Sequence, residues 1–167
     1  MSWLRSLSVL MMLGLAACGY QPLYGTSSPG VHASEALAKV QIASIEGLVG
    51  RDVQVALLDR INPDGEPSQP THRLEIKLIP SLAGLLVQPD AAITRYNYQL
   101  TGNYKLIDIT TGNVVAQGSV LGTAAYNVVT NEYATVVARR DAEKRAAESI
   151  GQEIALRLAL YMKGKQA

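Results

Sequence analysis

The sequence predicts an α+β fold, a two-layer sandwich in which two helices pack on one face of a four-stranded, mostly antiparallel sheet. Two observations lead to this prediction. The apolar pattern follows the order strand, helix, three strands and helix, without the strict alternation typical of a parallel doubly wound sheet. The longest run of alternating polarity is followed by a turn, a return strand and a long apolar stripe of helical spacing.

The first part of the domain is expected to supply one strand and one helix. A strand is predicted over residues 38–45, where apolar and polar residues alternate. A helix is predicted over residues 51–61, and Asn62-Pro63 is expected to end it. The segment from there to Thr71 is rich in Pro and polar residues, so it is expected to be a loop.

Two strands are expected after that loop. Residues 73–79 alternate cleanly, and Pro80 is expected to interrupt them. From Thr94 the alternation is the longest in the chain. One face of this third strand is apolar or aromatic and carries Tyr96, Tyr98, Leu100, Gly102, Tyr104 and Leu106. The opposite face is polar and carries Arg95, Asn97, Gln99, Thr101, Asn103 and Lys105.

A hairpin and a long helix are expected to complete the domain. Residues 108–113 contain a Thr-Gly-Asn turn signal, and the return strand is predicted over residues 114–125. Thr130 or Asn131 is expected to cap a helix that continues to about Lys163. Its apolar stripe advances by four residues at a time through Ala138, Ala142, Ala146, Ile150, Ile154 and Leu158.

The first 17 residues have the layout of a secretory signal peptide. Arg5 precedes an apolar run that is too short to span a bilayer, which requires about 20 apolar residues. The run ends in Leu15-Ala16-Ala17-Cys18, which resembles a bacterial lipobox. That resemblance implies cleavage before Cys18 and acylation of its thiol and its new amino group. The alternative is an ordinary signal peptide that happens to precede a cysteine.

The predicted organisation follows from this anchor. Residues 1–17 are expected to be the signal peptide, residues 18–33 a lipidated tether, and residues 34–167 a single domain. Cys18 is the only cysteine, so no disulfide competes for it. Two or three acyl chains hold a protein stably on a membrane. Because Gly19 stands where inner-membrane lipoproteins carry Asp, the inner leaflet of the outer membrane is the expected location.

Composition and motifs argue against several classes of function. Without residues 1–17 the chain has 14 basic and 14 acidic residues, a balance that disfavours a nucleic-acid partner. Neither an H-E-x-x-H pattern, nor a G-x-S-x-G elbow, nor a phosphate-binding Gly loop occurs. The sequence is therefore not expected to encode an enzyme, and no cofactor or metal is expected. The mixed-sign run over residues 139–145 is typical of a solvated helix face.

The segment after the anchor carries a family resemblance. The residues that carry it are Cys18-Gly19-Tyr20-Gln21-Pro22-Leu23-Tyr24-Gly25. They resemble the mature start of the LPS-assembly lipoprotein family LptE, and the resemblance extends over the whole mature chain. It includes the helix with Arg51, the strand around residues 95–98, and Tyr126 before the Ala-rich last helix.

The resemblance implies a fold, a partner and a location. In the LptE family, a sheet with two helices forms a plug inside the outer-membrane barrel LptD. The plug assists barrel assembly and helps deliver lipopolysaccharide to the cell surface. The chain is thus expected to form a heterodimer with LptD and to face the periplasm and the barrel lumen. The family is thought to contact lipopolysaccharide through basic residues near one end of the sheet, and the nearby candidates here are Arg95 and Lys105.

The polar face of the third strand is the candidate docking surface. A plug inside a barrel with a polar lumen needs hydrogen-bonding groups, because both surfaces meet water before assembly. The residues proposed to contact the barrel wall, together with the neighbouring loop Leu82–Asp90, are Arg95, Asn97, Gln99, Thr101 and Asn103. The alternatives are a face that is simply solvated, and a free periplasm-facing binding or inhibitor lipoprotein. A lipid-anchored hydrolase is disfavoured by the missing motifs.

Overall fold

A four-stranded sheet with two long helices on one face forms the domain, so the predicted fold class is confirmed. The computed structural model describes residues 35–84 and 95–164. Its elements are β1 (Val40–Ile42), α1 (Gly47–Ile61), β2 (His72–Gly84), β3 (Arg95–Asp108), β4 (Val114–Asn127) and α2 (Glu132–Gly164). The strands lie in the order β1-β2-β3-β4. The pair β1–β2 is parallel and the other two pairs are antiparallel.

Several predicted features lie outside the described residues. They are the signal peptide, Cys18, the tether of residues 18–33 and the part of the Leu82–Asp90 loop beyond Gly84.

The first strand and the first helix differ from their predicted bounds. β1 is three residues long rather than eight, and α1 begins four residues early at Gly47. Gly47 has a φ of +83°, which glycine adopts readily and which turns the chain into the helix. A Cβ at Gly50 would lie 2.7 Å from the Ile45 carbonyl oxygen. The prediction started too late because the first turn of α1 contains two glycines, which have a poor intrinsic helix propensity and add nothing to the apolar pattern.

The end of α1 is tied to the segment before β1. Asn62 follows the helix as predicted, and its backbone N–H donates to the Leu58 carbonyl. Its buried side chain donates from Nδ2 to the Ala38 carbonyl at 3.0 Å. Burying a polar side chain is costly unless it is hydrogen-bonded, so this contact fixes the end of α1 against the segment before β1.

The prediction that Pro80 interrupts the second strand is wrong, because β2 continues to Gly84. The Leu74 carbonyl accepts a hydrogen bond from the Ala43 N–H, at 2.9 Å, on the side of β1. Backbone groups of successive residues point to opposite edges of a strand, so Pro80 directs its backbone to the same outer edge as Leu74. The N–H that Pro80 lacks would have faced away from β3, and no bond of the ladder is lost.

The β3–β4 hairpin is closed by a carboxylate. Asp108 Oδ1 accepts hydrogen bonds from the backbone N–H groups of Thr110 and Thr111, at 2.9 and 3.0 Å. Gly112 has a φ of +70° and completes the turn. The backbone N–H of Thr111 is the largest cause that lowers the pKa of Asp108, and the N–H of Thr110 acts in the same direction. The charged form of Asp108 is therefore the form that the folded turn favours.

Small residues let α2 lie close to the sheet. A Cβ at Gly122 would collide with the Ala146 carbonyl oxygen, and Cβ atoms at Gly102 and Gly122 would each lie 3.0 Å from the Ile150 side chain. Ile150 thus fills the depression above two glycines on neighbouring strands. The predicted stripe of α2 is confirmed as buried from Ala142 to Leu158, while Ala138 is only partly buried.

The charged run of α2 is more than a solvated face, contrary to the prediction. Arg140 Nη2 lies 2.7 Å from Asp52 Oδ2 on α1. Glu143 pairs with Arg139 at 3.0 Å and with Arg140 at 3.5 Å, and its side chain is only 14% exposed. The Arg140–Asp52 pair joins the two helices, which also approach closely where a Cβ at Gly151 would lie 2.7 Å from Ala56 Cβ.

Truncating the buried stripe should destabilise the domain. Ile150→Ala and Ile154→Ala remove methyl groups from side chains that are 0% exposed. Each change should lower the free energy of unfolding by about 2–5 kcal/mol. Leu160→Ala is the matched control, because the Leu160 side chain is 54% exposed. This substitution should lower the free energy of unfolding by about 0.5 kcal/mol or less. Denaturant melts of the soluble chain lacking residues 1–18 measure the difference, and equal losses at all three positions would contradict the assigned helix face.

The hairpin carboxylate should make stability depend on pH. The lowered pKa of Asp108 means that its charge stabilises the folded state above the ordinary value of 3.8. This contribution is lost as the pH falls through the lower folded pKa. Asp108→Asn keeps an acceptor oxygen and removes the charge, so wild type should melt higher than the variant at pH 7. The gap should close at about pH 2, and an unchanged gap at that pH would contradict the assignment.

Candidate docking surface: the open face of the sheet

The polar row of β3 lies on the face of the sheet opposite the helices. Tyr98, Leu100, Tyr104 and Leu106 are buried on the helix side. Because side chains alternate along a strand, the intervening residues point the other way. No described element covers that second face, here called the open face. It carries all six predicted polar residues, Arg95, Asn97, Gln99, Thr101, Asn103 and Lys105.

The two predicted lipopolysaccharide contacts are not brought together. Arg95 begins β3 and lies opposite Asn127, whereas Lys105 lies near the other end, opposite Glu75 and Gln117. They are ten residues apart, which at about 3.4 Å per residue separates them by roughly 34 Å. One phosphate group cannot contact both side chains.

The cross-strand register adds neighbours that the sequence reasoning missed. Thr101 lies directly between Ile79 on β2 and Leu121 on β4. These two aliphatic side chains are 48% and 59% exposed, so the face predicted to be polar has an apolar row at its centre. Both side chains point to the open face. The alternation within each strand would have predicted this if the strand pairing had been known.

The middle of the open face has no charge. In the rows centred on Asn97, Gln99 and Thr101, every residue on the three long strands is neutral. We call these nine residues the uncharged band: Ile79, Ser81, Ala83, Asn97, Gln99, Thr101, Leu121, Thr123 and Ala125. Its amide and hydroxyl groups can hydrogen-bond to a polar surface, and its end row can bury two apolar side chains, those of Ile79 and Leu121. Such a mixture is typical of non-obligate protein interfaces.

The end of the open face near Lys105 is charged and concave. A concavity of about 630 Å³ is lined by side chains that include Lys77, Asn103, Lys105 and Gln117. Glu75 also lines it and pairs with Arg73 at 3.2 Å. Neither lysine forms an ion pair with any described residue, so the balance of this end is positive. A positive concavity attracts anions.

On the helix side, the tyrosines serve packing. The rings of Tyr96 and Tyr126 stack with centroids 5.8 Å apart and an angle of 19° between their planes. Burial, and then the charge of Glu143, raise the pKa of Tyr98 above 10.0, while Arg139 and Arg140 oppose the shift. Tyr98 is therefore neutral at physiological pH.

The described residues offer little for other chemistry. Within residues 35–84 and 95–164, no three His, Asp or Glu side chains are grouped so that they could hold a metal ion. None of the helices in that part of the chain has the length and apolar character needed to cross a membrane.

The fold resembles those of solved lipoproteins. A protein assigned as a lipoprotein from Caulobacter crescentus CB15 superposes with a TM-score of 0.67 at 19% identity, over 80% of this chain and 98% of that one. A minor lipoprotein from Acinetobacter baumannii gives 0.56 at 14% identity, over 74% and 94%. Lipoprotein B from Nitrosomonas europaea gives 0.52 at 15% identity, over 70% and 78%. Neither a protein-family model nor a curated protein sequence matches the chain. At these identities the comparisons establish a shared fold.

Proposed function

We propose that this chain is a lipoprotein of the bacterial envelope that docks, through the uncharged band, inside an outer-membrane barrel of the LptD type. In this role it assists assembly of the barrel and helps deliver lipopolysaccharide to the cell surface. The chain is held by acyl chains on Cys18 in the inner leaflet of the outer membrane. It performs no catalysis, needs no cofactor and does not bind nucleic acid.

The uncharged band is the observation that carries this proposal. A water-filled barrel is polar inside, and a plug must stay soluble before it docks. A face of amides and hydroxyls, with the exposed aliphatic side chains of Ile79 and Leu121 at one end, meets both requirements. The similarity of fold to several lipoproteins and the lipobox at Cys18 support the envelope location.

The charged concavity favours a second candidate function. A free periplasm-facing lipoprotein could use Lys77 and Lys105 to bind a small anionic ligand in a space of about 630 Å³. This alternative needs no barrel. In the leading proposal the same lysines lie where lipopolysaccharide phosphates could bind, and Arg95, at the far end of β3, would contact a different group.

Charging the band should break the complex and spare the fold. Replacing Asn97, Gln99 and Thr101 with Glu should leave the melting temperature of the soluble chain nearly unchanged, because these side chains lie on the uncovered face. In the complex, three charges would be buried without partners at a cost of several kcal/mol. Co-purification with the barrel from detergent-solubilised outer membranes should therefore be lost.

The matched control places the same charge on the opposite side of the molecule. Leu48, Val55 and Leu160 are exposed on the helix layer, and their triple replacement by Glu should retain the barrel. A band variant that folds and still holds the barrel would show that docking uses another surface. If even the wild-type chain purifies without a barrel, the free binding lipoprotein becomes the better account.

The anchor has its own test. The mature chain should begin at Cys18 and carry acyl groups on its thiol and amino group, which intact-mass and peptide mass spectrometry would detect. Cys18→Ala should accumulate as an unprocessed precursor, because cleavage of a lipoprotein signal requires the modified thiol. A mature chain that starts elsewhere, or an unmodified Cys18, would contradict the lipoprotein assignment.

A further inference from the structure

The two edges of the sheet are protected differently. At the β2 edge, β1 pairs with His72–Leu74 and Pro80 lies on the open remainder. Proline is a common device that stops an edge from pairing with another strand. β4 forms the other edge, and no described strand pairs with its outer side. Its 14 residues contain neither a charged residue nor a proline.

The register determines which backbone groups of β4 face outwards. Pro80 directs its backbone away from β3, so its partner Leu100 hydrogen-bonds on the other side, to Gly122 of β4. The residues of β4 that alternate with Gly122 therefore present their N–H and C=O groups at the outer edge. They are Ser119, Leu121, Thr123 and Ala125.

Two arginines of α2 already occupy part of this edge. Arg145 Nη2 donates to the Ala125 carbonyl at 3.0 Å, and Arg157 Nη1 donates to the Ser119 carbonyl at 2.9 Å. Twelve residues of helix span about 18 Å and six residues of strand about 20 Å, so the two spacings match. Between the arginines, no side chain of a described residue hydrogen-bonds to the backbone groups of Leu121 or Thr123.

The arginines are held in place by neighbours on the helix. Arg157 pairs with Glu153 at 2.8 Å, and Arg145 pairs with Asp141. The bond from Glu153 is the largest cause that raises the pKa of Arg157, so this cation keeps its charge. All four side chains are 41–59% exposed. Solvent-exposed pairs of this kind contribute little free energy and can exchange partners.

A groove runs beside the free part of the edge. It has a volume of about 380 Å³ and lies between β4 and α2, where it is lined by Leu121, Ser149, Gln152, Glu153, Leu156 and Arg157. A strand added to β4 would point alternate side chains towards α2, into this groove. The groove suits a small or aliphatic side chain, because Leu156 is 43% exposed and the two charged residues of the lining, Glu153 and Arg157, pair with each other.

We propose that the outer edge of β4 binds an extended, uncharged segment of a partner protein as a fifth strand, and that Arg145 and Arg157 guard this edge until the segment arrives. The segment takes over the carbonyls of Ser119 and Ala125 and pairs with Leu121 and Thr123. Main-chain hydrogen bonds supply the affinity in such strand addition, and pockets for alternate side chains supply the specificity. Leu121, Thr123 and Ala125 belong to the uncharged band through their side chains, whereas strand addition uses their outward backbone groups. The inference therefore does not depend on the proposed function.

A foreign strand fits this edge better than a second copy of the chain. Two β4 strands paired about a two-fold axis at Gly122 would place Ser119 of one copy opposite Ala125 of the other. Arg157 of one copy would then meet Arg145 of the other at both ends of the interface. Juxtaposed like charges oppose association, whereas an uncharged segment meets no such repulsion.

Strand addition can be tested on the full-length chain in detergent micelles. The probe is an acetylated and amidated heptapeptide of alternating Thr and Val, followed through the protein's backbone amide signals in NMR. Saturable changes should be confined to β4 from Ser119 to Ala125 and to α2 from Arg145 to Arg157. The same peptide with N-methyl groups on alternate residues cannot complete the ladder and should not bind.

Protein variants give the second arm of the test. The double variant Arg145→Ala/Arg157→Ala removes both competing donors and should bind the peptide at least about threefold more tightly. Arg139→Ala is the control, since Arg139 pairs with Glu143 and does not touch β4. Thr123→Pro removes an outward N–H without breaking the ladder, as Pro80 does naturally on the other edge, and should abolish binding.

Each contrary result would overturn the proposal. Absence of amide changes, changes at the β2 edge, or equal binding of the N-methylated peptide would exclude strand addition at β4. Equal peptide binding by a folded Thr123→Pro variant would do the same. A concentration-dependent dimer that Thr123→Pro abolishes would assign the edge to a second copy instead.

Discussion

The close approach of α2 to the sheet is the constraint on which the rest of the structure depends. It is possible because Gly102 and Gly122 leave room for Ile150 and for the helix backbone at Ala146. The same helix then contacts α1 at Gly151, where an added side chain would collide with Ala56. Dense packing of this kind tolerates few changes of volume. One face of the sheet is thereby closed by helices, and the hydrophobic core lies wholly on that side.

The surfaces offered to partners follow from this one-sided packing. Since both helices lie on the same face, no described element covers the other face of β2, β3 and β4. Since α2 lies over β4, its arginines can reach round to the outer edge of that strand. The open face presents side chains, whereas the edge presents backbone groups. The two surfaces thus favour different kinds of contact and can be changed by different substitutions.

The charged residues are also distributed differently over the helix layer and the open face. The carboxylates and guanidinium groups of α2 pair with one another, and Arg140 also pairs with Asp52 on α1 and so joins the two helices. The lysines of the open face gather near Glu75, at the end of the sheet where β1 enters beside His72. Arg95 begins β3 at the far end and forms no ion pair with a residue that the structure describes. A long neutral band therefore separates two positive ends, and any anion contacted at one end is independent of the other.

The sequence by itself determined the fold class, the two faces of β3, the hairpin turn and the buried stripe of α2, because each depends on a periodicity or a turn signal within one segment. The same local patterns supplied the polar row of the candidate site. Only the tertiary structure decided how Pro80 is tolerated, which residues flank Thr101, how Arg140 joins two helices, and where Arg145 and Arg157 bind. Each of these depends on strand register or on helix placement, which bring together residues far apart in the chain. A one-residue change of register would reverse every face of a strand, and no single segment encodes the register of its neighbour.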